Sequence, residues 1–164
     1  MATPERLPEV EKAFPKLRKP GSYLKTSERD DLYNCVAWAM SDIAEFWDPS
    51  GAPGYYWPDG VPRGFDVTSY VRLFEIVGGF STCTSAKPEV GFEKVAIYGQ
   101  EGRFLHVARQ LESGRWTSKL GREQDIEHKN LETLEGGIYG KVQVLLKRPR
   151  RAQSGRSTQR DDDL

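Results

Sequence analysis

Cysteine and histidine are scarce in this chain of 164 residues, two of each, and that scarcity removes whole classes of chemistry. There is no CxxC pair and no HxxxH spacing, so no local signature of a metal site is present. Neither a metal nor an organic cofactor is expected. Cys35 and Cys83 read as two free thiols in a reducing compartment. Long apolar runs are missing too. No stretch approaches the ~18 residues of a membrane-spanning helix, and MATPERLPEVEKAFPKLRKPG lacks the apolar centre of a secretion signal. The expectation is a cytoplasmic protein with no membrane partner. Net charge is absent as well: Lys+Arg and Asp+Glu are 24 each. No global field recommends a nucleic-acid partner, and the short KRPRR run is followed by DDD, as in a solvated tail.

What the chain does contain falls into three parts. Residues 1–29 scatter Pro4, Pro8, Pro15 and Pro20 among charges, and read as an irregular N-terminal arm. Residues 30–149 read as a single domain. Residues 150–164 hold no apolar side chain between Ala152 and Leu164 and read as a disordered charged tail.

Within the domain the hydrophobic period changes. Leu32, Cys35, Val36, Ala39, Met40, Ile43, Phe46 and Trp47 follow the i, i+3, i+4 spacing of one helical face. Asp30 or Asp31 would cap this helix, and Pro49 must end it. The Gly- and Pro-rich loop after it gathers Tyr55, Tyr56 and Trp57. A second helix is expected from Asp66 to Val77, capped by Asp66 or Thr68 and stopped by Gly78 and Gly79, with Val67, Val71, Phe74 and Val77 on one face. Beyond it, FEKVAIY, RFLHVARQL, WTSKLG and IYGKVQVLLKRP are β-rich stretches, and GQEG and ESG are hairpin-length loops. The layout is α+β: helices near the N-terminus packed on an antiparallel sheet.

The ESG hairpin positions a histidine. If Leu111 faces Arg115, then Phe104, His106, Ala108 and Gln110 share a face with Trp116, Ser118 and Leu120, and His106 lies diagonal to Ser118. Leu105, Val107, Leu111, Thr117 and Lys119 take the other face, and Lys119 is expected to reach solvent. His128 reads as a surface or helix-cap histidine with an option on the site.

These parts suit nucleophilic chemistry. A thiol in the first turn of a helix meets the positive end of the helix dipole, which favours thiolate. An imidazole beside it would lower the thiol pKa further and later protonate a leaving group. Ser118 or His128 could fix the imidazole tautomer. Tyr33, Asn34, Trp38, Tyr56, Trp57 and Lys119 are the oxyanion and substrate-binding candidates. The competing expectation is plain packing, since cysteine is among the most buried residue types. Cys83, with no basic neighbour, is the expected inert thiol.

Two resemblances rest on these motifs. YNCVAWA opening a helix, HVARQ on a strand and a polar residue on the next strand resemble the core of NlpC/P60-type and other papain-like cysteine peptidases and amidases. The resemblance implies Cys35 as nucleophile, His106 as base and Ser118 at the third position. Ser118 departs from the His, Asn, Gln or acid usual there, which leaves His128 as the alternative. YNCVAWA, YWPDGVPR, GFEKVAIYG, HVARQL, WTSKLG, DIEH and YGKVQVLLKRP together also resemble an uncharacterised bacterial domain family across residues 14–149, which implies relatedness but no activity. The functional expectation is a thiol-dependent hydrolase or transferase acting on an amide, isopeptide or thioester bond of a peptide, small amide or modified protein. The alternative is an inactive binding or regulatory module on the same scaffold.

Overall fold

The computed structural model of the chain describes residues 5–27, 35–40, 46–120 and 124–150. Its centre is a seven-stranded sheet in which every neighbouring pair is antiparallel, in the order β1-β8-β7-β6-β5-β9-β4. The strands are β1 (Tyr23–Ser27), β4 (Ser81–Cys83), β5 (Phe92–Gln100), β6 (Arg103–Gln110), β7 (Trp116–Lys119), β8 (Asp125–His128) and β9 (Lys141–Pro149). Two two-residue strands, β2 (Phe46–Trp47) and β3 (Tyr55–Tyr56), form a separate parallel pair. Among the described residues the helices are few and short: α1 (Pro8–Ala13), α2 (Cys35–Ala39) and α3 (Val67–Ile76). The chain is a mixed α+β protein built on an antiparallel sheet.

Helix α3 forms where its punctuation places it. The Asp66 carboxylate accepts hydrogen bonds from the Ser69 backbone N–H at 3.1 Å and the Ser69 hydroxyl at 2.9 Å, satisfying a donor that the helix start would otherwise orphan. At the far end Gly79 takes φ +72°, and the Phe80 N–H returns to the Phe74 carbonyl at 3.1 Å, closing the helix as a left-handed cap does. Its buried face is Ser69, Tyr70, Leu73 and Phe74. Val77, expected on that face, is exposed; it is the C-cap residue, beyond the last helical residue Ile76.

Two expectations are corrected. The helix expected from Leu32 to Trp47 is described only over Cys35–Ala39. The Met40 N–H is shared between the Val36 and Ala37 carbonyls, at 3.1 and 3.0 Å, and Phe46 and Trp47 are in strand β2. Trp47 there packs edge-on against Tyr56 with ring centroids 4.9 Å apart, a cross-strand partner that a helical face would not supply. The N-terminal stretch is not irregular. Pro8 and Pro15 each open a helical turn, where the missing N–H costs nothing, and Leu7, Val10, Phe14 and Leu17 are buried. The arm is then held by a partly buried network: Tyr23 accepts from the Leu7 N–H at 2.7 Å and donates to Glu11 at 2.6 Å, and Arg6 grips Glu11 bidentately from the surface. The tail expected over 150–164 lies, beyond Arg150, outside the described residues.

Both faces of the sheet are covered. On one, Val95, Ile97 and Val107 pack with α2, Trp57 and the Tyr70–Leu73–Phe74 face of α3. On the other, Ala96, Tyr98, Ala108, Trp116 and Ile126 pack with the N-terminal arm and Leu131 and Leu134. A shift in register between β5 and β6 alters the expected faces. Tyr98 pairs with His106, but Gly99 pairs with Phe104. Gly99 permits this, since a Cβ there would run into the Arg103 carbonyl. Phe104 therefore leaves the face of His106 and stacks on Tyr70, 3.6 Å between centroids and 5° between planes.

Candidate active site

The ESG hairpin has the expected register: the Leu111 N–H bonds the Arg115 carbonyl at 2.8 Å, and Gln110 pairs with Trp116. One step along the ladder this brings His106 Nε2 to 3.0 Å from Ser118 Oγ. The next pairing, Trp116 with His128 and Ser118 with Ile126, places His128 diagonal to Ser118 from the other side, with Nε2 at 2.8 Å from the same hydroxyl. All three side chains are fully buried. His128 is thus a strand residue under the N-terminal arm, not a surface or capping histidine.

One carbonyl fixes the protons of this row. His128 Nδ1 stands 2.9 Å from the Asn130 backbone oxygen. A carbonyl only accepts, so Nδ1 carries the hydrogen and donates. Burial pushes His128 down to about 4, with Arg115 also opposing its charge while the Asn130 bond favours it; the ring is neutral near pH 7. Its Nε2 is then an acceptor, taking the Ser118 hydroxyl proton, and Ser118 Oγ accepts in turn from His106 Nε2–H. Burial, and then His128, hold His106 well below the usual imidazole range. His106 Nδ1 is left as a bare lone pair, buried and with no hydrogen-bond partner among the described residues.

The imidazole is also held by rings. Tyr139 lies flat on it, with centroids 4.1 Å apart and planes within 1°, and Tyr98 sits 5.5 Å away, its hydroxyl donating to the Leu131 carbonyl at 2.7 Å. Phe14 of the arm packs on the Tyr139 ring at 5.0 Å.

Cys35 opens α2, which packs against both β6 and β7. Those strands pair at Arg109–Thr117 and Gln110–Trp116 and then part. Beyond the pairing, the Val107 N–H is close enough to the Cys35 sulfur to favour its thiolate. The thiol is half-buried. Burial pushes it up to about 11, against the pull of the Val107, Val36 and Cys35 N–H groups and of Lys119. The expected depression of this thiol is therefore reversed: desolvation of the thiolate outweighs the backbone N–H groups and the lysine that favour it. No hydrogen bond joins Cys35 to His106. The helix belongs to the cluster on one face of the sheet, and the imidazole lies against Tyr98 and Tyr139 of the cluster on the other. The thiol meets β6 at Val107, the residue after His106.

The other candidates scatter. Lys119 is fully buried near Cys35, not in solvent, because α2 covers the face it points to. Trp57 is buried, edge-on to Tyr70 at 5.2 Å, whereas Tyr56 is exposed. Tyr33 and Asn34, and the side chain of Trp38, lie outside the described residues. Cys83 is half-buried, its Sγ 3.9 Å from the Ser85 carbonyl. Among the described residues no three potential ligands form a metal cluster, and no helix is long and apolar enough to cross a membrane. The cavities of about 380 Å³ beside Glu112 and beside Leu24 lie away from the histidines. Sequence reasoning missed Tyr139 and the Asn130 carbonyl; the one available signal was a lone aromatic among the glycines of GGIYG.

No curated protein and no solved structure matches this chain. Residues 24–147 match the model of a domain of unknown function, DUF7689, a span that includes Cys35 and the whole histidine row. The chain belongs to that family.

Proposed function

We propose that the chain is a thiol-dependent hydrolase or transferase acting at an amide, isopeptide or thioester carbonyl, on a papain-like, NlpC/P60-like core. The observation that carries this reading is the buried lone pair of His106 Nδ1, fixed as an acceptor and situated one residue from the N–H that meets Cys35. Cys35 attacks, His106 takes its proton and returns it to the leaving group, and Ser118 with His128 holds the imidazole in the tautomer that can do so. Because thiol and imidazole are both neutral at rest, proton removal accompanies attack; no stored ion pair is needed. A peptide, a small amide or a modified protein side chain in the cytoplasm suits such a site.

The second reading is an inactive binding or regulatory module. It is favoured by the raised thiol pKa and by α2 and the imidazole lying with different clusters; exposed Tyr55 and Tyr56 would be its contact surface. Treatment with an acyl donor such as p-nitrophenyl acetate, read by mass spectrometry, separates the two. The enzyme reading expects an acetyl group on Cys35 well ahead of Cys83, at a rate that collapses in His106→Ala. Equal modification of the two thiols, or no dependence on His106, leaves the binding module.

A further inference from the structure

Tyr139 lies against His106, the proposed base. Its ring is fixed from several sides: flat on His106, against Phe14, and inside a loop closed by Gly136 N–H to the Gly140 carbonyl at 3.0 Å. Gly140 takes φ +70°, and a Cβ there would run into the Gly99 carbonyl, so the loop is seated directly on β5. The neighbouring Tyr98 gives its hydroxyl to a carbonyl, but the Tyr139 hydroxyl makes no hydrogen bond to a described residue. Tyr139 and Cys35 are both half-buried, keeping some surface open while burial dominates the ionisation of each. Burial first, and then Cys35, hold the phenol above its usual range, so it stays a donor at any working pH.

We propose that the substrate of this site is a carbonyl acyl donor, and that the Tyr139 hydroxyl donates the hydrogen bond that holds the carbonyl oxygen as Cys35 adds. The proposal rests on the reading of Cys35 as nucleophile. In the step, a bond forms from Cys35 Sγ to the carbonyl carbon, and the thiol proton passes to His106 Nδ1. The carbonyl π pair moves onto oxygen, where Tyr139 donates to it. Collapse restores the C=O bond and breaks the bond to the leaving group, which takes the proton from Nδ1. A thioester on Cys35 is left. A disulfide or alkyl halide develops no oxyanion and gains nothing from Tyr139.

Two probes test this on the full chain. p-Nitrophenyl acetate acylates through an oxyanion; iodoacetamide alkylates by displacement without one. Tyr139→Phe keeps the ring on His106 and removes only the hydroxyl. The expected result is a fall of ~10²-fold in acetylation of Cys35, the scale of a lost oxyanion donor, with alkylation of Cys35 unchanged. Acetylation at the wild-type rate overturns the proposal, and so does an equal slowing with both probes, which marks a purely positioning role. Tyr70 is the control, since it also lies within the electrostatic reach of Cys35; loss in Tyr70→Phe instead of Tyr139→Phe assigns the donor there and overturns it too. Failure of Cys35 to acetylate ahead of Cys83 in the wild type is a different result, because it removes the nucleophile itself.

Discussion

Ser118 gives its hydroxyl proton to His128 across 2.8 Å, and that one direction decides what His106 can do. With the proton committed to His128, the oxygen accepts from His106 Nε2, and Nδ1 is left basic. Removing the hydroxyl strands two buried ring nitrogens at once. Ser118→Ala is expected to lower stability by at least ~2 kcal/mol, from a cost of about 1–3 kcal/mol per stranded group, and to abolish any dependence of Cys35 acetylation on His106. A urea midpoint within error of wild type would show that the row contributes nothing.

Acid should unfold the protein in two stages. His128 falls from the usual 6.5 to about 4, and His106 is lowered as well, both mainly by burial. The unfolded chain therefore binds protons below pH 6.5 that the native state refuses. Stability is full above that pH and lost as pH falls toward 4, by about 3 kcal/mol for His128. Glu11 acts lower down. Its hydrogen bond from Arg6, then that from Tyr23, hold it to about 2 from a usual 4.5, so its contribution is present above pH 4.5 and disappears as pH drops toward 2. Urea midpoints from pH 8 to pH 3 should show the histidine stage shrinking in His128→Gln, with the lower stage retained.

Cys35 should alkylate slowly in the resting protein. A thiol at about 11 is roughly one part in ten thousand thiolate at pH 7, so its iodoacetamide rate should climb through pH 9 and 10. A plateau reached below pH 8, read by mass spectrometry, would contradict the burial described for this thiol.

Gly140→Ala combines a positive φ with a collision against the Gly99 carbonyl. Destabilisation on the order of 1–3 kcal/mol is expected from the strained backbone, together with loss of the Tyr139 stack on His106. Thermal unfolding reports the first and the near-ultraviolet dichroism of the tyrosines the second. Gly136→Ala, at φ +88° but with open space around its Cβ, should cost only the conformational part.

The features that could be read from the sequence were local ones. ESG sets the β6–β7 register, and that register alone places Ser118 beside His106. Asp66 and the Gly78–Gly79 pair bound α3. The features that could not be read depend on what packs where. The apolar spacing from Leu32 to Trp47 fits a helix, yet it carries no information that Trp47 would meet Tyr56 across a strand pair. His128 and Lys119 look like solvent residues because they are polar on alternating strands. Both are buried because the N-terminal arm covers one face of the sheet and α2 the other. Tyr139 reaches His106 only because β9 lies next to β5, a pairing with no signature in the intervening sequence.

The acceptor that orients the histidine row is a main-chain oxygen. Substitution at Asn130 changes the side chain that caps Thr133 but leaves the carbonyl in place, so the sense of the proton row is protected from point mutation at its anchoring end. Drift along a lineage can then erase the row only at Ser118 or at the histidines themselves. Sequences of this family that keep those three but vary at position 130 would retain the same proton arrangement.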